Sequence, residues 1–109
     1  MDIKKHGDVT VVQIPVRFDA HSSRDAEIIL QEVIKSGKKT VLCNFSHTEY
    51  ISSAGLRVLL AVSKELNKSD RKLYLCSTSS FVQEVLETSG LTTILKIFKT
   101  EKDALSDIG

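Results

Sequence analysis

Two short extended runs open the chain. Asp2 to Lys5 and Val9 to Ile14 are separated by His6-Gly7-Asp8, and Gly-Asp between extended runs predicts a hairpin. Pro15 ends the second run or marks it as lying on an exposed edge, because proline has no N–H to give to a ladder. Arg17-Phe18-Asp19-Ala20-His21-Ser22 then leads into a helix. Ser22 with Asp25 has the look of a capping pair, and Ala26, Ile29, Leu30, Val33 and Ile34 form an apolar stripe at helical spacing. Gly37 follows as the stop signal.

Thr40 to Phe45 has no polar alternation until Asn44, as expected of a central strand covered on both faces. A turn-rich stretch, Ser46 to Ser52, separates it from a second helical pattern that runs from Ser53 or Ala54 to about Asn67, with Leu56, Leu59, Leu60, Ser63 and Leu66 on one side. Lys68-Ser69-Asp70 is a loop, and Lys72 to Cys76 is another strand. A third helix starts at Ser79 or Ser80, where Ser80 and Gln83 have capping-box spacing. Val82, Val85 and Leu86 supply its inner face and Gly90 stops it. A last apolar run, Ile94 to Phe98, precedes a short terminal helix opened by Thr100 with Asp103, whose end should fray. The order ββαβαβαβα predicts a single α/β domain over residues 1–109. Its expected form is a mixed, largely parallel sheet of about four to five strands backed by about four helices.

Composition narrows the function more by exclusion than by indication. Apolar residues make up 41% and charged residues 27%, the balance of a globular protein, and no apolar run approaches the roughly 20 residues that cross a bilayer. Met1-Asp2-Ile3-Lys4-Lys5 lacks an apolar signal core, so an intracellular, cytoplasmic protein without membrane insertion is expected. The net charge is +1 and the basic pairs Lys38-Lys39 and Arg71-Lys72 are short. With only six aromatics and no basic stripe, nucleic acid is not an expected partner. Cys43 and Cys76 lie within or at the end of apolar runs and read as buried strand residues. Neither has an arginine in the six positions after it, as a thiol phosphatase would need. His6, His21 and His47 are not spaced like a zinc site, so no metal is expected.

The candidate chemistry lies in Tyr50-Ile51-Ser52-Ser53-Ala54-Gly55. In open α/β sheets, partners meet the loops that leave the carboxyl ends of strands, and Ser46 to Gly55 is the longest and most polar such loop. Free N–H groups and the helix dipole make a helix start favourable for an anion, so a phosphate on Ser53 is tolerable there. The plainer reading is that a serine caps the helix and Gly55 permits close packing. A serine hydrolase is disfavoured: Gly-x-Ser-x-Gly is absent, since position 51 is Ile, and no histidine is placed as the base.

The segment Val41-Leu42-Cys43-Asn44-Phe45-Ser46-His47-Thr48-Glu49-Tyr50-Ile51-Ser52-Ser53-Ala54-Gly55-Leu56-Arg57-Val58-Leu59-Leu60 resembles the signature of STAS domains, specifically of bacterial anti-sigma factor antagonists. That signature is an apolar strand, Asp/Asn-apolar-Ser, a short loop, aromatic-Ile-Asp/Ser-Ser-Ser/Thr/Ala-Gly-Leu and an apolar helix. Arg17-Phe18-Asp19-Ala20-His21 is similar to the family's Gly-apolar-Asp segment, and Leu86-Glu87-Thr88-Ser89-Gly90-Leu91 to its apolar-x-x-Ser-Gly-Leu helix end. The resemblance implies a STAS-like fold with no catalytic residue and no cofactor of its own. It places the phosphoacceptor at Ser53 and a partner-binding surface at Asp19, Ser52, Ala54, Gly55, Leu56 and Arg57. It further implies that a serine kinase, which is also the anti-sigma factor, phosphorylates Ser53. Unphosphorylated antagonist binds that partner and frees the sigma factor; a PP2C-type phosphatase reverses the modification. Many family members carry Asp where this chain has Ser52, Ser or Thr where it has Ala54, and Gly where it has Arg17. Ser52 is thereby a competing acceptor, and Asp19 either orients the acceptor loop by hydrogen bonding or serves its own turn. Two other readings stay open: an unphosphorylated STAS adaptor in a lipid-transport or signalling assembly, and a small-ligand or nucleotide sensor. A monomer or weak dimer is expected.

Overall fold

The computed structural model describes residues 1–37 and 40–108; the basic pair Lys38-Lys39 and the last residue of the expected terminal helix lie outside them. Among the described residues, β1 (Ile3–His6) and β2 (Val9–Gln13) form the expected hairpin, and a two-residue strand β3 (Arg17–Phe18) precedes α1 (Ser23–Lys35). Then come β4 (Thr40–Asn44), a second two-residue strand β5 (Tyr50–Ile51) and α2 (Ser53–Asn67). The remainder is β6 (Lys72–Cys76), α3 (Ser80–Thr88), a 3₁₀ turn at Leu91–Thr93, β7 (Lys96–Phe98) and α4 (Glu101–Ile108).

The main sheet has the order β1-β2-β4-β6-β7, with only the β1–β2 pair antiparallel. The mixed, largely parallel α/β sheet expected from the alternation is thus present. Consecutive buried residues such as Val41, Leu42 and Cys43 need cover on both faces, and both are covered. One face carries Val12, Val41, Cys43, Leu73 and Leu75 and packs on α1, α2 and α3 through Leu30, Val33, Leu59, Val62, Leu66, Val82 and Leu86. The other carries Val9, Val11, Leu42 and Cys76 and packs on α4 through Ala104, Leu105 and Ile108. The exposed edge strand β1 is guarded by Lys4 and Lys5, charges that discourage pairing with a further strand.

The registers bring Gln13, Asn44, Cys76 and Phe98 level across four strands. The segments that leave β2, β4 and β6 therefore emerge side by side at one edge of the sheet. Backbone bonds continue just past that line, from Ile14 N–H to the Asn44 carbonyl (2.9 Å), Phe45 to Cys76 (3.0 Å) and Ser77 to Phe98 (3.1 Å).

Several expectations need correction. Pro15 ends β2, but β2 is an interior strand between β1 and β4, so the exposed-edge reading fails. Ser22 does not cap α1 with its side chain; its hydroxyl accepts from the Asp19 N–H (3.1 Å) and donates to the Arg17 carbonyl. The cap of α3 is Ser79, whose hydroxyl accepts from the Val82 N–H (3.2 Å), while Gln83 takes a hydrogen bond from Thr78 instead of closing a box with Ser80. On α2 the buried stripe is Gly55, Val58, Leu59, Val62, Ser63 and Leu66, with Leu56 and Leu60 only half-buried at its border. The inward face is rotated because α2 packs on the sheet and on β3 together. The last apolar run yields a strand only at Lys96–Phe98; Leu91 and Leu95 point inward across the 3₁₀ turn, which leaves Ile94 exposed. Thr100 opens α4 as expected, its hydroxyl accepting from the Asp103 N–H (3.0 Å). Gly90, at φ +82°, takes the left-handed position that ends α3.

Candidate functional site

The loop between β4 and α2 is pinned to the chain leaving β2. At its base, Asn44 accepts the Ser46 N–H (2.8 Å) through its side-chain oxygen and donates to a Glu101 carboxylate oxygen (2.8 Å). Thr48 is buried, and its hydroxyl donates to the Pro15 carbonyl (2.9 Å). Glu49 and Tyr50 both donate from their backbone to the Val16 carbonyl (2.8 and 3.3 Å). Arg17 and Phe18 then run parallel to Tyr50 and Ile51 as a two-stranded ribbon, and the Ser52 N–H reaches the Phe18 carbonyl (3.0 Å). Residues 14–18 thus fix where α2 begins.

Ser52 is the N-cap of α2, with extended backbone at φ −110° and ψ 177°, and its carbonyl accepts the Leu56 N–H (3.0 Å). Its hydroxyl nevertheless makes no capping bond. The oxygen is buried and has no hydrogen-bond partner among the described residues. Ser53, the first helical residue, is exposed. Two adjacent serines therefore differ sharply: one hydroxyl is closed to solvent and the other is presented to it. No acidic side chain lies in the first turn of α2, so the N–H groups there keep their capacity for an anion.

Gly55 is buried where α2 crosses the ribbon. A Cβ there would stand 2.6 Å from the Phe18 carbonyl oxygen and 3.0 Å from both the Phe18 ring and the Ile51 side chain. Only a residue without a side chain lets the helix approach the ribbon this closely. Ala54 is half-buried, Leu56 packs at the margin of the core, and Arg57 is exposed. An open groove of about 510 Å³ runs between α1 and α2 next to these residues, lined by Ser23, Glu27, Ala54, Arg57, Leu60 and Lys64 among others.

Asp19 serves its own turn. Its carboxylate accepts from the His21 and Ser22 N–H groups (3.0 and 3.3 Å) and pairs with Arg17 Nε (3.2 Å). Desolvation pushes its carboxyl up, but the Ser22 and His21 hydrogen bonds and the Arg17 guanidinium outweigh it and hold it below its ordinary value. Orientation of the loop from Ser46 to Ser52 comes from backbone pairing with 16–18, and among the described residues Asp19 reaches that loop through Arg17.

The structure adds Phe81, Val16 and Thr48, which the sequence did not single out, and joins Phe81 to Arg17 and Tyr50, which it did. The Arg17 guanidinium lies 4.5 Å from the centre of the Tyr50 ring, and Phe81, from the first turn of α3, stacks on Tyr50 with ring centres 6.0 Å apart and planes at 16°. Phe81 is 48% exposed and Val16 is 49% exposed. An aromatic off the inner face of α3 was the available signal for Phe81; nothing in the sequence linked it to Tyr50. Thr48 carried no signal at all, since its role depends on carbonyls more than thirty residues earlier.

Comparison with known proteins places this geometry. The sequence pattern of the STAS domain matches residues 1–104. BtrV of Bordetella bronchiseptica, provisionally named an anti-sigma factor antagonist, is 36% identical over 80 residues, covering 73% of this chain and 67% of that protein. Among solved structures, one of a Thermotoga maritima protein, provisionally described as an anti-sigma factor antagonist, superposes with a TM-score of 0.90 at 23% identity over 98% of this chain and 92% of that one. The Bacillus cell fate determinant SpoIIAA in its phosphorylated form superposes with a TM-score of 0.79 at 20% identity, covering 99% and 98% of the two chains.

Proposed function

The chain belongs to the STAS domain family and, within it, to the anti-sigma factor antagonists, and we propose that it works as a phosphorylation-controlled switch acting at Ser53. In its unphosphorylated form it binds a cytoplasmic serine kinase that is also the anti-sigma factor, and phosphorylation of Ser53 releases it. A PP2C-type phosphatase returns it to the binding form. This chain is substrate and binding partner; the catalytic groups, ATP and magnesium belong to the kinase.

The observation that carries the reading is the contrast between the two serines. Ser53 is exposed at the first turn of α2, whereas the Ser52 oxygen is buried. A kinase must bring the acceptor oxygen in line with the γ-phosphorus of ATP, which an exposed hydroxyl allows and a buried one does not. The Ser53 oxygen bonds to that phosphorus as the bond to the bridging oxygen of ADP breaks, and the serine proton passes to a base on the kinase. The product sits at a helix start whose N–H groups and dipole favour negative charge, so the fold accommodates it. It also adds a charge of about −1.5 to −2 at a side chain that carried none. That change is sufficient to reverse a docking interaction while leaving the pinned loop intact.

Incubation with the source organism's purified serine kinase/anti-sigma factor and ATP is expected to add one phosphate, located at Ser53 by mass spectrometry. Ser53→Ala should abolish the modification, and Ser53→Asp should weaken binding to the kinase at least tenfold. Modification at Ser52, or wild-type affinity for Ser53→Asp, contradicts the proposal. Silence of both variants in every binding assay points instead to the adaptor reading.

A further inference from the structure

We propose that Arg17, Tyr50 and Phe81 form a recognition patch for a segment of the kinase partner that carries a carboxylate beside an apolar side chain. The inference rests on the reading of Ser53 as the switch and says what that switch acts upon. Its first support is placement. The three residues come from the segments that follow β2, β4 and β6, which the level strand ends bring to one edge of the sheet. Tyr50 lies three residues before Ser53, so their Cα atoms are at most about 11 Å apart.

The second support is composition and order. Isolated exposed apolar residues are ordinary on any protein surface. Here Phe81 and Tyr50 are stacked, Arg17 lies over the same phenol ring, and exposed Val16 precedes Arg17 in the chain. Aromatic side chains and arginine dominate the binding energy of protein interfaces, chiefly where they are held in place before the partner arrives. These are held: Tyr50 is in the ribbon with Arg17, and Phe81 is set by the capped first turn of α3.

The third support is the chemistry of Arg17. Its Nε is engaged by Asp19, which fixes the guanidinium plane, while its two terminal nitrogens make no hydrogen bond among the described residues. With the Arg17 side chain 64% exposed, those two nitrogens are open to a ligand, and a pair of this kind can bind a carboxylate through both oxygens. The exposed Phe81 ring, held against Tyr50, suits an apolar side chain. A phosphate on Ser53, three residues along the chain from Tyr50, would bring negative charge to the neighbourhood of this patch, with a strength that depends on ionic strength. It would repel the partner's carboxylate and compete for Arg17, which gives phosphorylation a target outside Ser53 itself.

The test is calorimetric titration of the same purified kinase, with MgADP, against wild type, Arg17→Gln, Arg17→Lys, Phe81→Ala, Ser53→Asp and Ile94→Ala. Ile94 is exposed near Lys72 at the opposite end of the sheet and serves as the control. Circular dichroism melts verify that each variant folds. Phe81→Ala and Arg17→Gln should each weaken binding at least tenfold, and Arg17→Lys at least threefold because ammonium lacks the fork. Ile94→Ala should bind as wild type does. Neutralising one surface carboxylate of the kinase should cost nothing further in the Arg17→Gln background. If Ser53→Asp loses binding while Arg17→Gln and Phe81→Ala keep it, the patch is refuted and the switch stands. If Ser53→Asp binds as wild type does, the switch is refuted and the patch loses its basis. Coupling to no kinase carboxylate refutes the assigned chemistry of the occupant.

Discussion

Ser52 and Ser79 hold the same position at the starts of α2 and α3 and use it differently. Ser79 accepts the Val82 N–H, whereas the Ser52 hydroxyl is buried without a partner. An N-cap serine normally contributes about 1 kcal/mol, and a buried hydroxyl that makes no bond contributes nothing to set against its desolvation. Ser79→Ala is therefore expected to lower stability by about 1 kcal/mol. Ser52→Ala should stay within about 0.5 kcal/mol of wild type or exceed it; urea unfolding of the two variants measures both. Spacing identified serines at both helix starts but could not show which way either hydroxyl turns. That direction depends on what the neighbouring ribbon leaves room for. The same limit applies to Asp19, which is visible in sequence as a turn residue and in the structure as the group that steadies Arg17.

At the scale of elements, α2 shows how a sequence stripe and a packed face diverge. Leucines at 56, 59, 60 and 66 suggested the inward side, yet the helix turns Gly55 and Val58 inward and leaves Leu56 and Leu60 at the border. The cause is the two-stranded ribbon of β3 and β5, each strand two residues long and too short to leave a periodic signal. Gly55 is where helix and ribbon touch. Gly55→Ala gains up to about 1 kcal/mol of helix propensity but forces a Cβ against a backbone carbonyl, an overpacking cost of about 1–3 kcal/mol. A net loss near 1–2 kcal/mol is expected, read as a lower urea midpoint. Amide shifts in residues 16–18 and 50–53 should report the displaced ribbon. An alanine variant as stable as wild type, with those shifts unmoved, contradicts the close-contact account.

Across the whole molecule, α4 closes the sheet face that α1, α2 and α3 do not cover. Its first residue, Glu101, pairs with Lys4 of β1 (2.6 Å) and accepts from Asn44 at the base of the loop between β4 and α2. Desolvation raises the Glu101 carboxyl, but Lys4 and Asn44, with His6 adding attraction, outweigh it and hold it below its ordinary value of 4.5. A carboxyl lowered on folding contributes stability above its unfolded value and loses that contribution as pH falls through its folded value. Glu101→Gln should therefore be less stable than wild type at pH 7 by about 0.5–1 kcal/mol, a figure reduced by solvent screening of a partly exposed pair. The difference should close as the pH falls below 4.5 toward the lower folded value. Denaturant unfolding at several pH values tests this, and a gap that persists in acid would contradict it. On the sheet itself, Cys43 is buried and desolvation, with Cys76 adding to it, pushes its thiol up to about 12, in keeping with the buried strand cysteine expected from its apolar run.

The sequence by itself determined the alternation of strands and helices, the stops at Gly37 and Gly90, the buried central strands and the polar segment that carries the candidate serine. These follow from local propensity and from apolar periodicity, which each segment carries without reference to the others. The tertiary structure alone decided which serine is presented, what the expected close packing at Gly55 is against, and that Arg17, Tyr50 and Phe81 meet. Those facts arise from the level strand ends and from backbone bonds between residues more than thirty positions apart. Such contacts are set by register and packing, and no short stretch of sequence contains them.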